Sequence, residues 1–226
     1  ALNILEICAI ASDGCISKAL VEQFSQIPNM SMDSDGDGYY DVLSGFQKSI
    51  RGSDVDAALY YLGIMIEAND MDSIERRLLV TAYEDIGLGN PAAVARCVQA
   101  IDAAKRVGFP EGRIPLAMAI IDLCLSPKSK SAESAIDAAM SVLRHTSYKV
   151  PDYLRFTPVN MKEEDQYDYN RSDIWNQIQY LPDALKDTQF YHPQMNSSYE
   201  KVLAQNLEKL RKVKRTSNLA ALKKKR

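Results

Sequence analysis

The stretch Ile114–Leu125, IPLAMAIIDLCL, is apolar at nearly every helical position, and Asp122 is its one charge. A run of this length is too short to cross a bilayer, which takes roughly 18 apolar residues or more. It is also too uniformly apolar for an ordinary surface helix. It reads as a central helix buried all round, with other helices packed against it. The flanking sequence supplies them. Asp54–Ala68 sets Val55, Ala58, Leu59, Leu62, Met65 and Ile66 on one face, with Ser53 or Asp54 as N-cap. Asn90-Pro91 is a cap followed by a first-turn proline, and the helix behind it, with Val94, Cys97, Val98 and Ile101 on one side, stops at Gly108. Ser131–Tyr148 continues through Ile136, Ala139, Met140 and Leu143. Further helices are expected over Leu2–Ala11, Ser17–Gln26, Tyr39–Arg51, Asp72–Ile86 and Tyr199–Val213. No run alternates with period two long enough to make a strand, and there is no internal repeat. The expected fold is all-α, a stacked helical bundle.

Between Tyr148 and Pro193 the character changes. The segment holds nine of the eighteen aromatic residues and four of the nine prolines. Segments that stay disordered are poor in aromatics, so this one is expected to be ordered and to wrap the helical body. Rings such as these also stack on nucleobases, but the segment has eight acidic against five basic residues, which repel phosphate. Packing is the expected role.

The chain has 226 residues, 46% hydrophobic and 25% charged, enough to bury a core without disulfides or a structural metal. Membrane, collagen-like and disulfide-scaffold classes are excluded. The opening ALNILEICAIA has neither Met nor a basic region, so no secretory signal is expected, and a start in mid-helix is that of a piece of a longer chain. Cys8, Cys15, Cys97 and Cys124 fall in apolar helical surroundings and read as small buried hydrophobes of a reducing, cytoplasmic compartment. No CxxC, HExxH or CxxH spacing is present. A Cys124–His145 nucleophilic pair can be drawn, but only geometry distinguishes such pairs. The net charge of −3 divides unevenly: residues 200–226 carry ten Lys or Arg against two Asp or Glu. This basic end, with Lys209, Arg211, Lys212, Lys214 and Arg215, is a candidate DNA contact, or else a solvated helix end or a clamp on the acidic body.

Asp33, Asp35 and Asp37, with Gly38 behind them, match the first positions of a calcium loop. Position 12 is Ser44 where a bidentate Glu belongs, and no partner hand follows, so a capped turn before the helix at Tyr39 is the preferred reading. Glu84 and Asp85 are adjacent carboxylates, but neighbouring helical residues diverge. With Arg76, Arg77 and Arg113 they are expected to form a polar network that positions helices. GxxxxGK[ST], GxGxxG and GxSxG are absent, so no catalytic residue and no cofactor is assigned to this chain.

Several strings in order resemble one family: Phe46-Gln-Lys-Ser-Ile-Arg-Gly-Ser-Asp54, Glu75-Arg-Arg-Leu78, Glu84-Asp-Ile-Gly87, Gly108-Phe-Pro-Glu-Gly-Arg-Ile-Pro-Leu-Ala117, Pro127-Lys-Ser129, Val150-Pro-Asp-Tyr-Leu-Arg155 and Tyr180-Leu-Pro182. Together they resemble the C-terminal part of the replication-associated recombination protein A (RarA/MgsA) family, AAA+ ATPases related to clamp loaders and to the Werner-helicase-interacting protein. Ala1-Leu-Asn-Ile-Leu-Glu6 is similar to the start of that family's last lid helices. Two departures stand out: Lys130 where the family tends to have Asn, and residues 170–179 without the usual Pro and Gly.

The resemblance implies a clamp-loader-collar-like bundle that oligomerises. It implies a lid remnant over 1–38, an oligomerisation domain over 39–195 with the wrapping segment 148–193, and a basic amphipathic helix and tail over 196–226. The Walker, sensor 1 and sensor 2 residues, and with them ATP and Mg, would belong to the parent upstream of Ala1. The implied role is a non-catalytic homotetramerisation domain of an ATPase at stalled forks. Through the parent it would meet DNA and single-strand-binding protein; it would have no membrane partner and would be cytoplasmic and nucleoid-associated. A stand-alone DNA-binding adapter using the basic tail and a calcium-responsive helical module are the alternatives.

Overall fold

A computed structural model describes residues 8–12, 15–18, 20–21 and 37–224, the side chains of Asp37 and His145 excepted. The expected lid helices at Leu2–Ala11 and Ser17–Gln26 fall largely outside these, as do Asp33 and Asp35. The described chain is all-α. Its main helices are α1 (Asp37–Arg51), α2 (Val55–Glu67), α3 (Met71–Thr81), α4 (Pro91–Val107), α5 (Arg113–Leu125), α6 (Ser131–His145), α7 (Ser198–Arg211) and α8 (Leu219–Lys224). Among the described residues the sole β-type pairing is an isolated bridge between Ile178 and Thr216.

Local chemistry accounts for the helix ends. Asp54 caps α2 by accepting from the Ala57 N–H at 3.0 Å, and Asn90 does the same for Ala93 at 3.2 Å. The cap of α3 is Asp70, which accepts from the Ser73 N–H at 3.0 Å, so that helix starts ahead of the expected Asp72. α4 ends as expected at Gly108, whose φ of +73° suits glycine. α6 ends three residues before Tyr148, because β-branched Thr146 turns to extended backbone on the way to Pro151.

The chain divides into two compact units. The first holds residues 1–79 and 97–124. Its core includes Phe46, Ile50, Leu62, Met65, Leu78 and Leu116, all buried. α1 and α2 pack closely enough that a Cβ on Gly45 would lie 2.7 Å from the Tyr61 ring. The Tyr39 hydroxyl donates to the Asp70 carboxylate, and Lys105 pairs with Glu75 at 2.9 Å. In α5 the expected burial all round is corrected. Leu116, Ala119, Ile120, Leu123 and Cys124 are buried, but Ile114, Met118, Ile121 and Leu125 face solvent. These recur at four, three and four residues and so form one stripe along the helix.

The second unit holds residues 80–96 and 125–226. Its segment 148–197 follows an irregular path with short 3-10 turns at Asp152–Leu154, Glu163–Asp165, Ser172–Gln177 and Asp183–Leu185. It builds a small core with α8, in which Ile174, Ile178, Leu219 and Leu222 are buried beneath Tyr153 and Tyr167. The expected order is there. The expected packing is not uniform, since Phe156 is fully exposed and Tyr169 is 79% exposed.

Candidate functional site

Three pieces of the second unit meet at a polar junction. The first is the continuation of α3, where Ala82–Ile86 form one π turn, a bulge that places an extra residue in the turn. Asp85 is buried there, while Glu84 keeps partial exposure. The 3-10 turn Gly87–Gly89 follows and leads into Asn90. The second piece is Pro127–Ser131. The Ser129 N–H donates to the Asp85 carbonyl at 2.8 Å, and Asn90 Nδ2 donates to Ser126 Oγ at 2.9 Å. The third is 194–200. Asn196 Nδ2 donates to the Lys128 carbonyl at 3.0 Å, Ser197 Oγ to the Leu88 carbonyl at 3.3 Å, and the Lys130 N–H to Gln194 Oε1 at 3.1 Å.

Glu200 lies at the bottom of the junction, fully buried. Its Oε1 accepts from the Ser131 hydroxyl and from the Tyr191 hydroxyl at 3.3 Å. Oε2 is buried with no hydrogen-bond partner among the described residues. Burial pushes this carboxyl up, but the hydrogen bonds it accepts, that of the Ser131 hydroxyl foremost, outweigh it and hold it below the usual carboxylate range. The sequence reading missed Glu200. The available signal was Ser197-Ser-Tyr-Glu200, the S-x-x-E pattern of a helix start. Ser197 does cap α7, accepting from the Glu200 N–H at 3.1 Å, but the Glu200 carboxylate is turned to Ser131.

At the rim, Lys130 Nζ stands 2.9 Å from Glu84 Oε1 and from Glu133 Oε2, and 3.9 Å from Asp85 Oδ1. Hydrogen bonds to Glu84, then Glu133, hold the ammonium above its ordinary range, so its contribution is whole at neutral pH and is lost only as pH climbs through the lysine range. The side chain is 38% exposed, which limits its worth. Lys130→Asn, which keeps a polar side chain without the charge, should lower stability by about 1 kcal/mol or less, and by less again in high salt. Urea melts at two salt concentrations check this; a large, salt-independent loss would show that the lysine holds the loop by other means.

The five residues expected to share one network are placed as follows. Glu84 pairs with Lys130, Arg77 Nη1 donates to Gln47 Oε1 at 3.2 Å, and Arg113 Nη1 donates to the Pro110 carbonyl at 2.6 Å. Arg76 and Arg113 are exposed and Asp85 is buried. In the basic tail all five candidate residues are exposed. Arg211 Nη2 donates to the Tyr191 carbonyl at 2.8 Å, and Lys212 pairs with Glu208 at 2.9 Å. Lys209, Lys214 and Arg215 hold no ion pair among the described residues. Farther on, Lys223 Nζ donates to the Glu163 carbonyl at 2.9 Å and Lys224 lies 3.9 Å from Glu164, as a clamp would.

Of the cysteines, Cys8, Cys97 and Cys124 are buried but Cys15 is exposed, against the expectation of burial. Burial and then Asp122 push the Cys97 thiol up to about 12, far from a thiolate. The His145 side chain, and with it the Cys124–His145 pair, lies outside the described residues. The calcium reading lies outside them too, and among those described no group of three His, Cys, Asp or Glu is gathered to hold a metal ion. No helix among them is long and apolar enough to cross a membrane. Chemically, the junction is a set of hydrogen bonds joining three backbone pieces.

The family model described as MgsA AAA+ ATPase C terminal matches residues 52–211, and that described as AAA C-terminal domain matches residues 1–51. The chain is 48% identical to the replication-associated recombination protein A of Bacillus subtilis, over 95% of this chain and 54% of that protein. It is 33% identical to the protein of the same name from Escherichia coli K12, over 85% of this chain and 46% of that one. It is 30% identical to the ATPase WRNIP1 of Dictyostelium discoideum, over 80% of this chain and 22% of that protein. The chain thus spans about half the length of the bacterial relatives it matches.

Proposed function

Because this chain belongs to the MgsA (replication-associated recombination protein A) family of AAA+ ATPases, we propose that it is the domain through which such an ATPase assembles as a homotetramer. The carrying observation is the solvent-facing apolar stripe of α5, where Ile114 is 63% and Leu125 69% exposed. α6 bears a second stripe, Ile136, Met140 and Leu143, also exposed. Surfaces of this kind mark association sites, and closed symmetric assembly, here a dimer of dimers, is the default. Obligate interfaces of this sort bury roughly 2,000 Å² or more.

In this reading the chain is itself non-catalytic, and ATP and Mg belong to an upstream ATPase domain. The upstream boundary lies near residue 38, the oligomerisation domain spans 39–195, and the basic helix and tail follow. The parent acts at stalled replication forks, in the cytoplasm and at the nucleoid, on DNA and with single-strand-binding protein. Lys209, Lys214 and Arg215 are the tail residues best placed to add phosphate contacts.

Light scattering coupled to size exclusion, at micromolar protein, should give four times the 25.3 kDa chain mass. Met118→Asp with Ile121→Asp, both on exposed positions, should shift the peak to a smaller species with helical circular dichroism unchanged. A wild-type mass of one chain across the peak overturns the assembly role.

A further inference from the structure

The aromatic residues of segment 148–183 leave several rings at the surface in one place. A cavity of about 470 Å³ is lined by Tyr153, Phe156, Pro158, Tyr167, Tyr169 and Tyr180. A second, of about 490 Å³, shares Tyr153 and Arg155 with it and extends to Pro151 and Pro182. A third shares Tyr167 and Tyr169 and runs out to Glu163 and Glu164. The shared walls make these one groove.

The rings are fixed from beneath. Tyr167 stacks on Trp175 with centroids 6.3 Å apart, and Tyr169 meets Tyr167 edge-on at 5.0 Å. The Tyr153 hydroxyl donates to the Gln179 carbonyl at 2.6 Å, the Tyr180 hydroxyl to the Trp175 carbonyl at 3.1 Å, and Trp175 Nε1 to the Asp168 carbonyl at 3.2 Å. A wall held in this way loses little side-chain freedom on binding. Fully exposed Phe156 and largely exposed Tyr169 are the rings left for a ligand to cover. Carboxylates outnumber cations in the lining: Glu163, Glu164, Asp168 and Asp183 stand against Lys149 and Lys223, while Arg155 is paired with Asp152 at 2.8 Å, and Glu163 and Asp183 hold no ion pair among the described residues.

We propose that this groove binds a proline-rich segment, flanked by arginine or lysine, in the polyproline II conformation. Such a segment is already extended, repeats every three residues and leaves its carbonyls unpaired. Aromatic walls accept its pyrrolidine rings, a known recognition mode, and the Tyr169 hydroxyl faces its carbonyls. The rim carboxylates select a basic flank and set its direction. The same carboxylates oppose a nucleic acid, whose bases the rings would otherwise stack on.

The test is fluorescence anisotropy of the whole chain with a labelled peptide of ten prolines preceded by two arginines. The comparators are the same peptide with two glutamates and an oligothymidine of fifteen nucleotides. Saturable binding of the arginine peptide is expected, about tenfold tighter than of the glutamate peptide. Tyr169→Ala and Phe156→Ala should each weaken it about tenfold at unchanged melting temperature, since both rings are exposed. Glu163→Gln with Asp183→Asn should erase the preference between the peptides. Absence of saturable peptide binding, or binding indifferent to both ring substitutions, overturns the proposal. Oligothymidine binding tighter than the peptide and lost in Tyr169→Ala overturns it in favour of a single-stranded nucleic acid groove.

Discussion

Gly89→Ala should unfold the protein roughly 6–12 °C below the wild type, from a loss of about 3 kcal/mol. A Cβ at Gly89 would sit 2.2 Å from the Pro127 carbonyl oxygen and 2.8 Å from its carbon. The obstacle is backbone on both sides, so no side chain can rotate away. Gly87 in the same turn has a φ of +42°, and a Cβ there would lie 2.9 Å from the Ser129 oxygen. The two glycines let the Gly87–Gly89 turn touch the Pro127–Ser129 loop directly. Pushing the loop away stretches the Ser129-to-Asp85 and Asn90-to-Ser126 hydrogen bonds together. Gly63→Ala is the control. It lies within α2 with nothing within 4 Å of an added Cβ, so it should be neutral or stabilising by up to about 1 kcal/mol. Thermal melts of the two variants must diverge in sign or nearly so; equal shifts would show that close approach of the two backbones does not govern the turn.

The contrast between Gly89 and Gly63 is one that sequence does not carry, and it marks where sequence reading stops. Helix ends were legible because their chemistry is local: Asp54, the Asn90-Pro91 pair and Gly108 each act on residues within one turn. The character of α5 was legible, its surroundings were not. Apolar residues all round a helix say that each face is to be covered, but not that the same chain covers it, and Ile114, Met118, Ile121 and Leu125 are left to solvent. The aromatic content of segment 148–193 correctly signalled order. It did not separate Tyr153 and Tyr167, which cover a core, from Phe156 and Tyr169, which do not. Charge partners were the least legible. Lys130 meets Glu84 from 46 residues away, and no spacing rule links them. The strings Glu84-Asp-Ile-Gly87 and Pro127-Lys-Ser129 are separated by some 40 residues, and no sequence spacing links them. The structure supplies the physical connection, since they are hydrogen-bonded faces of one junction.

Glu200 offers the second large effect, and one that pH can read. A glutamate in a basic stretch ordinarily lies in water, whereas this one, in the first turn of α7, is fully buried against the Ser129–Ser131 loop. Glu200→Ala removes the acceptor of the Ser131 and Tyr191 hydroxyls and leaves both donors in place. Hydrogen bonds to a charged group are worth about 1.5–3 kcal/mol each, and a stranded buried donor about 1–3 kcal/mol. A loss of about 3 kcal/mol is therefore expected from urea unfolding. Glu200→Gln keeps the volume and gives up the charge, and its loss should be smaller and should depend on pH in a defined direction. The folded carboxyl titrates below its ordinary range, so its contribution is present above the unfolded value of about 4.3 and is lost as pH falls from there through the folded value. The stability gap between wild type and Glu200→Gln should stay constant from neutral pH down to about 5 and then close at lower pH. A gap that widens on acidification would mean that Glu200 folds as the neutral acid, and one that stays flat to the acid limit would mean that its carboxyl titrates alike in the folded and unfolded chain. The donors around it would then be serving the shape of the junction and not its charge.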